Sequence, residues 1–337
     1  MLKDKLKEYC DISYKMNKVK NDDLKQELSN ILLEFKKEAI LKFKEESDIK
    51  TFLDNITSFN NYSYNNQILI YLQRPNAKYV TSFKKINEMG YRINKGEEGI
   101  KILIPSFLKL IKVIKNGQEE LKNYRNLSKE ELKKYNDPSD NSVVLHDDIL
   151  AYFKIGTVFD IDQTNMPIHQ IQDELNPILE DNQADDIINI FIKAIYMDGY
   201  KVNFRDVKDS TKGYCDHKNK TIVLRNGLNN LMKLKVLVHE YAHAISHNHL
   251  ENKYKEYQLN RNKYEVEAEG ISYVVCKFLG LDTSSYSINY IYNWSKEKDF
   301  LEIDKSLEMI VKESSKIIQN YKKMLEKELL YSDEKRL

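Results

Sequence analysis

The run His239-Glu240-Tyr241-Ala242-His243 constrains this chain more than any other stretch of it. Its two histidines stand four positions apart, so on an α-helix they lie on one face and can offer two imidazoles to a single metal ion. Glu240 sits beside the first, where a carboxylate can take a proton from water held at that ion. This is the HExxH pattern of zinc hydrolases, and Zn2+ is the cofactor it predicts. The pattern needs a helix rigid enough to hold its ligands. Leu234, Leu237, Val238, Tyr241, Ala242 and Ile245 recur at helical spacing and give that helix a buried face, with Asn229 or Asn230 placed to cap its start.

A catalytic zinc site takes a third protein ligand and leaves one position open. The run from Tyr264 to Val275 is amphipathic, predicts a second helix ending near Gly280, and carries Glu265, Glu267 and Glu269. Glu265 and Glu269 share a face and Glu267 does not. The spacing therefore favours Glu265 as ligand, with Glu269 accepting the free N–H of a ligand histidine. Glu267 and His249 remain alternatives. His249 follows His243 by six positions, as the third histidine does in HExxHxxGxxH enzymes, but Ser246 stands where their glycine turns the chain. His247 reads as a helix-end histidine or an outer group. A closed structural zinc would draw mostly on Cys and His, and Cys10, Cys215 and Cys276 are scattered away from the motif.

With 337 residues the chain can build two domains, each with its own core. The expected class is α+β. Hydrophobic residues make up 41% and charged ones 31%, without an apolar run long enough to cross a bilayer, so no membrane partner is expected. The charged start and the three unpaired cysteines predict a cytoplasmic protein. A formal net charge of +1 means that any affinity for nucleic acid must come from local patches and stacking.

Residues 1 to about 74 have helical periodicity. Strands are expected at 78–83, 99–104 and 107–115, with Asn116-Gly117 as a tight hairpin turn and a short helix at 84–90. Residues 122–141 read as a polar excursion, followed by strands at 142–145 and 151–160. The stretch from Gln163 to Pro177 is the best linker, giving domains 1–170 and 171–337. In the second, a helix at 184–196, a strand at 200–204, a turn at 215–220 and a strand at 221–225 lead into the HExxH helix. The edge of such a sheet could pair with an extended peptide beside the metal.

The two halves together resemble the ArdC-type antirestriction proteins. In the first half the likeness is carried by the run from Asn61 to Gln73, by Phe83-Lys84-Lys85, by the run from Lys95 to Leu103, and by the run from Val158 to Thr164. In the second it is carried by the HExxH run, by Glu265-Val266-Glu267-Ala268-Glu269, by Gly280-Leu281-Asp282 and by Tyr286-Ser287. The resemblance implies an N-terminal domain that binds single-stranded DNA and a C-terminal zincin-like metallopeptidase domain. It also implies a protein of conjugative plasmids or other mobile elements that shields incoming DNA from host restriction.

Read residue by residue, Tyr62, Tyr64, Tyr71 and Tyr91 could stack on bases, Asn66 and Gln67 could bond base edges or sugars, and Lys84, Lys85, Arg92, Lys95 and Lys101 could meet phosphates. A tyrosine in an apolar helix is, however, more often core than platform. Three readings follow: a zinc peptidase, acting on a protein or peptide, tethered to a single-strand-binding module; a non-catalytic single-strand-binding protein whose metal serves folding; and a DNA-responsive peptidase that cleaves a repressor.

Overall fold

The computed structural model describes residues 2–18, 22–167, 179–207, 210–247 and 254–334. The protein is mixed α+β. By compactness the chain divides into Met1–Glu34 with Lys101–Thr157, here unit 1, and Phe35–Ile100 with Val158–Leu337, here unit 2. The expected linker around residue 170 lies outside the described residues, as does His249. Among the described residues, no helix is long and apolar enough to cross a membrane.

Four helices open the chain: α1 (Leu2–Lys18), α2 (Asp22–Ile40), α3 (Glu46–Ser58) and α4 (Tyr64–Gln73). Strand β1 (Val80–Ser82) and the short helix α5 (Phe83–Glu88) follow. Two long strands, β2 (Ile100–Lys115) and β4 (Val143–Asp160), enclose β3 (Gln118–Asn123) and helix α6 (Lys129–Tyr135).

The expected strands at 99–104 and 107–115 are one continuous strand. Pro105 suggests a break, because proline cannot donate a ladder hydrogen bond. Strand β3 pairs only with residues 110–115 of β2, so along that flank Pro105 has no bond to lose. The segments 142–145 and 151–160 likewise merge into β4. Beyond the hairpin turn, strand β3 has no pattern of its own in the sequence, because its side chains are exposed or half-buried and half of them are charged, without alternation. Asn116 and Gly117 form the expected turn, both with positive φ (53° and 77°), as a two-residue hairpin requires. Ile111, Val113, Leu127 and Val143 form an apolar cluster in unit 1, backed by Tyr124, Leu132 and Tyr135.

In unit 2, β1 pairs antiparallel with the end of β4, Val80 opposite Asp160. Asp160 is fully buried and accepts from Arg74 Nε and from the backbone N–H groups of Lys78 and Tyr79, each at 3.0–3.1 Å. This part of the family-like sequence thus ties chain segments together. Helix α7 (Asp181–Met197) leads to a three-stranded sheet of β5 (Lys201–Arg205), β6 (Gly213–Asp216) and β7 (Thr221–Arg225). Strand β7 is central, parallel to β5 and antiparallel to β6. The strand leading into the HExxH helix is therefore not the edge. The edges are β5 and β6, and the second half of β6 falls in the segment expected to be a turn.

Helices α8 (Asn230–Ser246), α9 (Tyr254–Leu259), α10 (Arg261–Phe278), α11 (Ser284–Lys296) and α12 (Phe300–Glu334) complete the unit. Helix α10 is the hub, packed against α8, α11, α12 and α3. At Gly270 it meets α12 so closely that a Cβ would collide with Ile310. Helix α3 is joined to it by polar bonds as well as apolar burial: Tyr273 Oη donates to Asp54 at 2.6 Å, and Lys277 pairs with the same carboxylate.

Candidate metal centre

Helix α8 carries the HExxH residues, and Asn229 is its cap, its side chain accepting from Met232 N–H at 2.8 Å. Leu234, Leu237, Val238, Tyr241 and Ala242 are buried, which anchors one side of the helix while His239 keeps an accessible edge. Helix α10 brings Glu265 opposite. Glu265 Oε2 lies 3.5 Å from both His239 Nε2 and His243 Nε2. One donor atom from each of these three residues lies within 4.8 Å of the others. Two imidazole nitrogens and a carboxylate oxygen form a donor set suited to a divalent ion such as Zn2+.

Each imidazole has its second nitrogen engaged elsewhere. His239 Nδ1 faces Glu269 Oε2 at 3.3 Å, and the other Glu269 oxygen accepts from Ser287 Oγ and lies 3.7 Å from Lys235 Nζ. His243 Nδ1 faces His247 Nδ1 at 3.1 Å, and His247 Nε2 faces Glu267 Oε2 at 3.0 Å. Glu267 is thus outside the three-residue cluster, spent on a buried histidine on the other side of α10.

The electrostatics follow from burial against partnership. Burial disfavours a charged His239, but hydrogen bonds to Glu265 and Glu269 overcome it and pull its pKa up to about 10. Burial dominates at His243, pushing it down to about 4. Burial raises Glu265 less than the two histidines lower it, so it stays ionised. Glu240 is 8% exposed, and burial pushes it up to about 7, although a hydrogen bond from the backbone of Cys215 draws it partly back. That bond links the carboxylate to edge strand β6.

The cluster sits where two lobes of a cleft meet. One lobe, about 700 Å³, is lined by Lys212 and Gly213 with Met232, Lys235, Tyr286 and Tyr290. The other, about 590 Å³, is lined by Tyr214 to Lys218 and by Tyr257. His239, Glu240, Arg261 and Glu265 border both. Tyr257 Oη also lies 3.5 Å from Glu265 Oε1. The sequence alone does not single out Tyr257, and it marks Ser287 only within the family-like Tyr286-Ser287 pair and His247 without its partner, because none stands at a metal-motif spacing.

The expected DNA contacts fare differently. Tyr64 is buried and donates to Asp304 at 2.8 Å, while Tyr71 is buried against Phe43 and Phe52. Gln67 is 1% exposed, its amide donating to the carbonyls of Phe59 and Tyr62, and Asn66 is buried as well. These four are core residues and correct the expectation: the apolar periodicity of α4 outweighs its polar and aromatic character. Tyr62 is half-buried, its hydroxyl donating to the Val80 carbonyl. Lys84, Lys85 and Lys95 are exposed, and half-buried Lys101, in unit 1, donates to Thr157 Oγ1.

Comparison with known proteins agrees with the first half of the resemblance. Residues 22–159 match the N-terminal domain of anti-restriction factor ArdC. An uncharacterised protein of Bacillus anthracis is 26% identical over 330 residues, 90% of this chain. The chain spans about half of that relative, 53% of its length. Two crystal structures of the antirestriction protein ArdC from plasmid R388, one metal-free and one Mn(II)-bound, are 18% identical and align over 78% of this chain. They cover 86% and 87% of their own chains, with TM-scores of 0.42 and 0.41, too low to equate the folds. Residues 22–159 thus carry the ArdC N-terminal domain.

Proposed function

We propose that this protein is a divalent-metal-dependent peptidase joined to a single-strand-binding module, serving antirestriction as other ArdC-type proteins do. The observation that carries the catalytic part is the convergence of His239, His243 and Glu265 at the junction of a two-lobed cleft, with Glu240 beside them. When bound, the ion, Zn2+ on the chemistry of these donors, supplies Lewis acidity to a carbonyl and lowers the pKa of water at the site. Glu240 takes a proton from that water and delivers it to the leaving amine, a task suited to a carboxylate whose pKa lies near neutrality. Strand β6 is an edge strand of the sheet, where an extended peptide could add, and the two lobes give the chain room on either side of the scissile bond.

The ArdC N-terminal match supports DNA binding and antirestriction. Exposed Lys84, Lys85 and Lys95 supply positive charge for phosphates, while buried Tyr64 and Tyr71 belong to the core. A randomised peptide library, incubated with the full chain and Zn2+ with or without single-stranded DNA, tests the reading by mass spectrometry. Wild type cleaves, and Glu240→Gln retains metal and DNA binding but does not cleave. Equal cleavage by Glu240→Gln contradicts the assigned base. No cleavage by a zinc-loaded wild type, with or without DNA, favours a shielding protein whose metal serves the fold.

A further inference from the structure

We propose that His247 is a positioning residue that fixes the tautomer of His243 and thereby leaves His243 Nε2 free for a cation. It builds on the metal site proposed for His239, His243 and Glu265. His247 is 1% exposed and Glu267 3%, so neither has water as an alternative partner. Between His243 Nδ1 and His247 Nδ1, 3.1 Å apart, one nitrogen must donate and the other accept.

The far end of the chain sets the direction. Glu267 Oε1 accepts from Ser306 Oγ at 2.9 Å and lies 3.7 Å from Lys263 Nζ, two donors that hold this carboxylate in the acceptor role. Glu267 Oε2, 3.0 Å from His247 Nε2, therefore holds the His247 proton on Nε2. With that proton on Nε2, His247 turns Nδ1 to the Nδ1–H of His243, 3.1 Å away. The remaining nitrogen of His243, Nε2, lies 3.5 Å from Glu265 Oε2 and is the one turned to the candidate metal position. Tyr264 packs over the His247 ring, centroids 4.7 Å apart, and helps hold its plane.

The relay from Ser306 through Glu267 and His247 does for the second ligand histidine what Glu269 does for the first. It also gives Glu267 a use other than ligation. A neutral imidazole in water prefers its proton on Nε2, the nitrogen that would have to ligate. Without its acceptor, His243 would drift to the wrong tautomer.

Histidine 15N NMR on the metal-free full chain near neutral pH reads the tautomer directly. Wild type is expected to show His243 protonated on Nδ1 and bare on Nε2, and His247→Leu to show a shift toward Nε2–H. Chelator competition with Zn2+ is expected to show affinity falling about 10–100-fold in His247→Leu. His247→Gln, whose amide both accepts and donates, is expected to recover most of that loss. A proton on His243 Nε2 in the wild type overturns the proposal, whether or not the leucine variant folds. So does a folded His247→Leu with unchanged tautomer and unchanged affinity. A wild type that takes up no Zn2+ sinks the metal-site reading instead, while its tautomer still decides the role of His247.

Discussion

Tyr273 Oη donates to Asp54 at 2.6 Å, joining α10, the helix that carries Glu265 and Glu269, to α3, 219 residues earlier in the chain. Asp54 also pairs with Lys50 and Lys277. A second bond of this kind runs from Tyr64 to Asp304, which also pairs with Lys36. Residues 36–64 lie within the ArdC-matched range, yet they pack in the same compact unit as the candidate metal centre. Helices α3 and α4 are therefore part of the support beneath the site.

Tyr273→Phe is expected to lower the unfolding free energy by about 1–2 kcal/mol, toward the low end for bonds to charged groups because Asp54 keeps two lysines. Chemical denaturation checks this. An unchanged midpoint would mean that the bond contributes nothing net.

A fragment of residues 171–337 alone lacks α3 and α4 and exposes the face of α10 on which Val274 and Tyr273 are buried. It is expected to lose cooperative unfolding and Zn2+ uptake together. A fragment that melts cooperatively and binds Zn2+ like the full chain would show that the packing is dispensable.

Gly270→Val places two methyl groups where Ile310 already stands, an overpacking expected to cost about 1–3 kcal/mol. The loss should appear as a lower Tm. Gly270→Val combined with Ile310→Ala, which opens space at the same point, is expected to recover part of it.

Glu131 supplies the pH-dependent case. It is buried at the third position of α6, and the hydrogen bond from Ser128 N–H, followed by the pairs with Lys122 and Lys115, holds its pKa down to about 2. A carboxylate whose pKa is lower in the folded state stabilises the fold above its ordinary value of 4.5. That contribution fades as pH falls from there toward about 2. Glu131→Gln is expected to be less stable at neutral pH and to show a flatter acid limb across that window. Parallel acid limbs for the two proteins would contradict the assignment.

For DNA, replacing Lys84, Lys85 and Lys95 together by alanine is expected to weaken binding to a single-stranded oligonucleotide. The slope of log K against log salt should fall by about 0.7 for each phosphate that the variant no longer neutralises. Unchanged affinity and slope would move the DNA-binding surface elsewhere.

The residues of the candidate metal cluster were legible because helical spacing is rigid: four positions separate His239 from His243, and four separate Glu265 from Glu269. The choice between Glu265 and Glu267 was also legible as a question of helix face. His247 reads as a helix-end histidine or an outer group, but its partner Glu267 was not legible, because it comes from another helix and only tertiary packing joins them. Strand β6 was hidden by its brevity and by the polar run that follows Cys215. Tyr64, Gln67 and Tyr71 misled because their polar and aromatic groups suit a DNA surface as well as a core, and the partner that decides the matter for Tyr64, Asp304, lies far along the chain.

The most direct measurement is Zn2+ stoichiometry and affinity by chelator competition on purified wild type, Glu265→Ala, Glu267→Ala and His249→Ala. One tightly held ion is expected in the wild type, near-complete loss in Glu265→Ala, a retained but weaker site in Glu267→Ala, and no change in His249→Ala. Full affinity in Glu265→Ala, or abolished binding in His249→Ala, would contradict this ligand set.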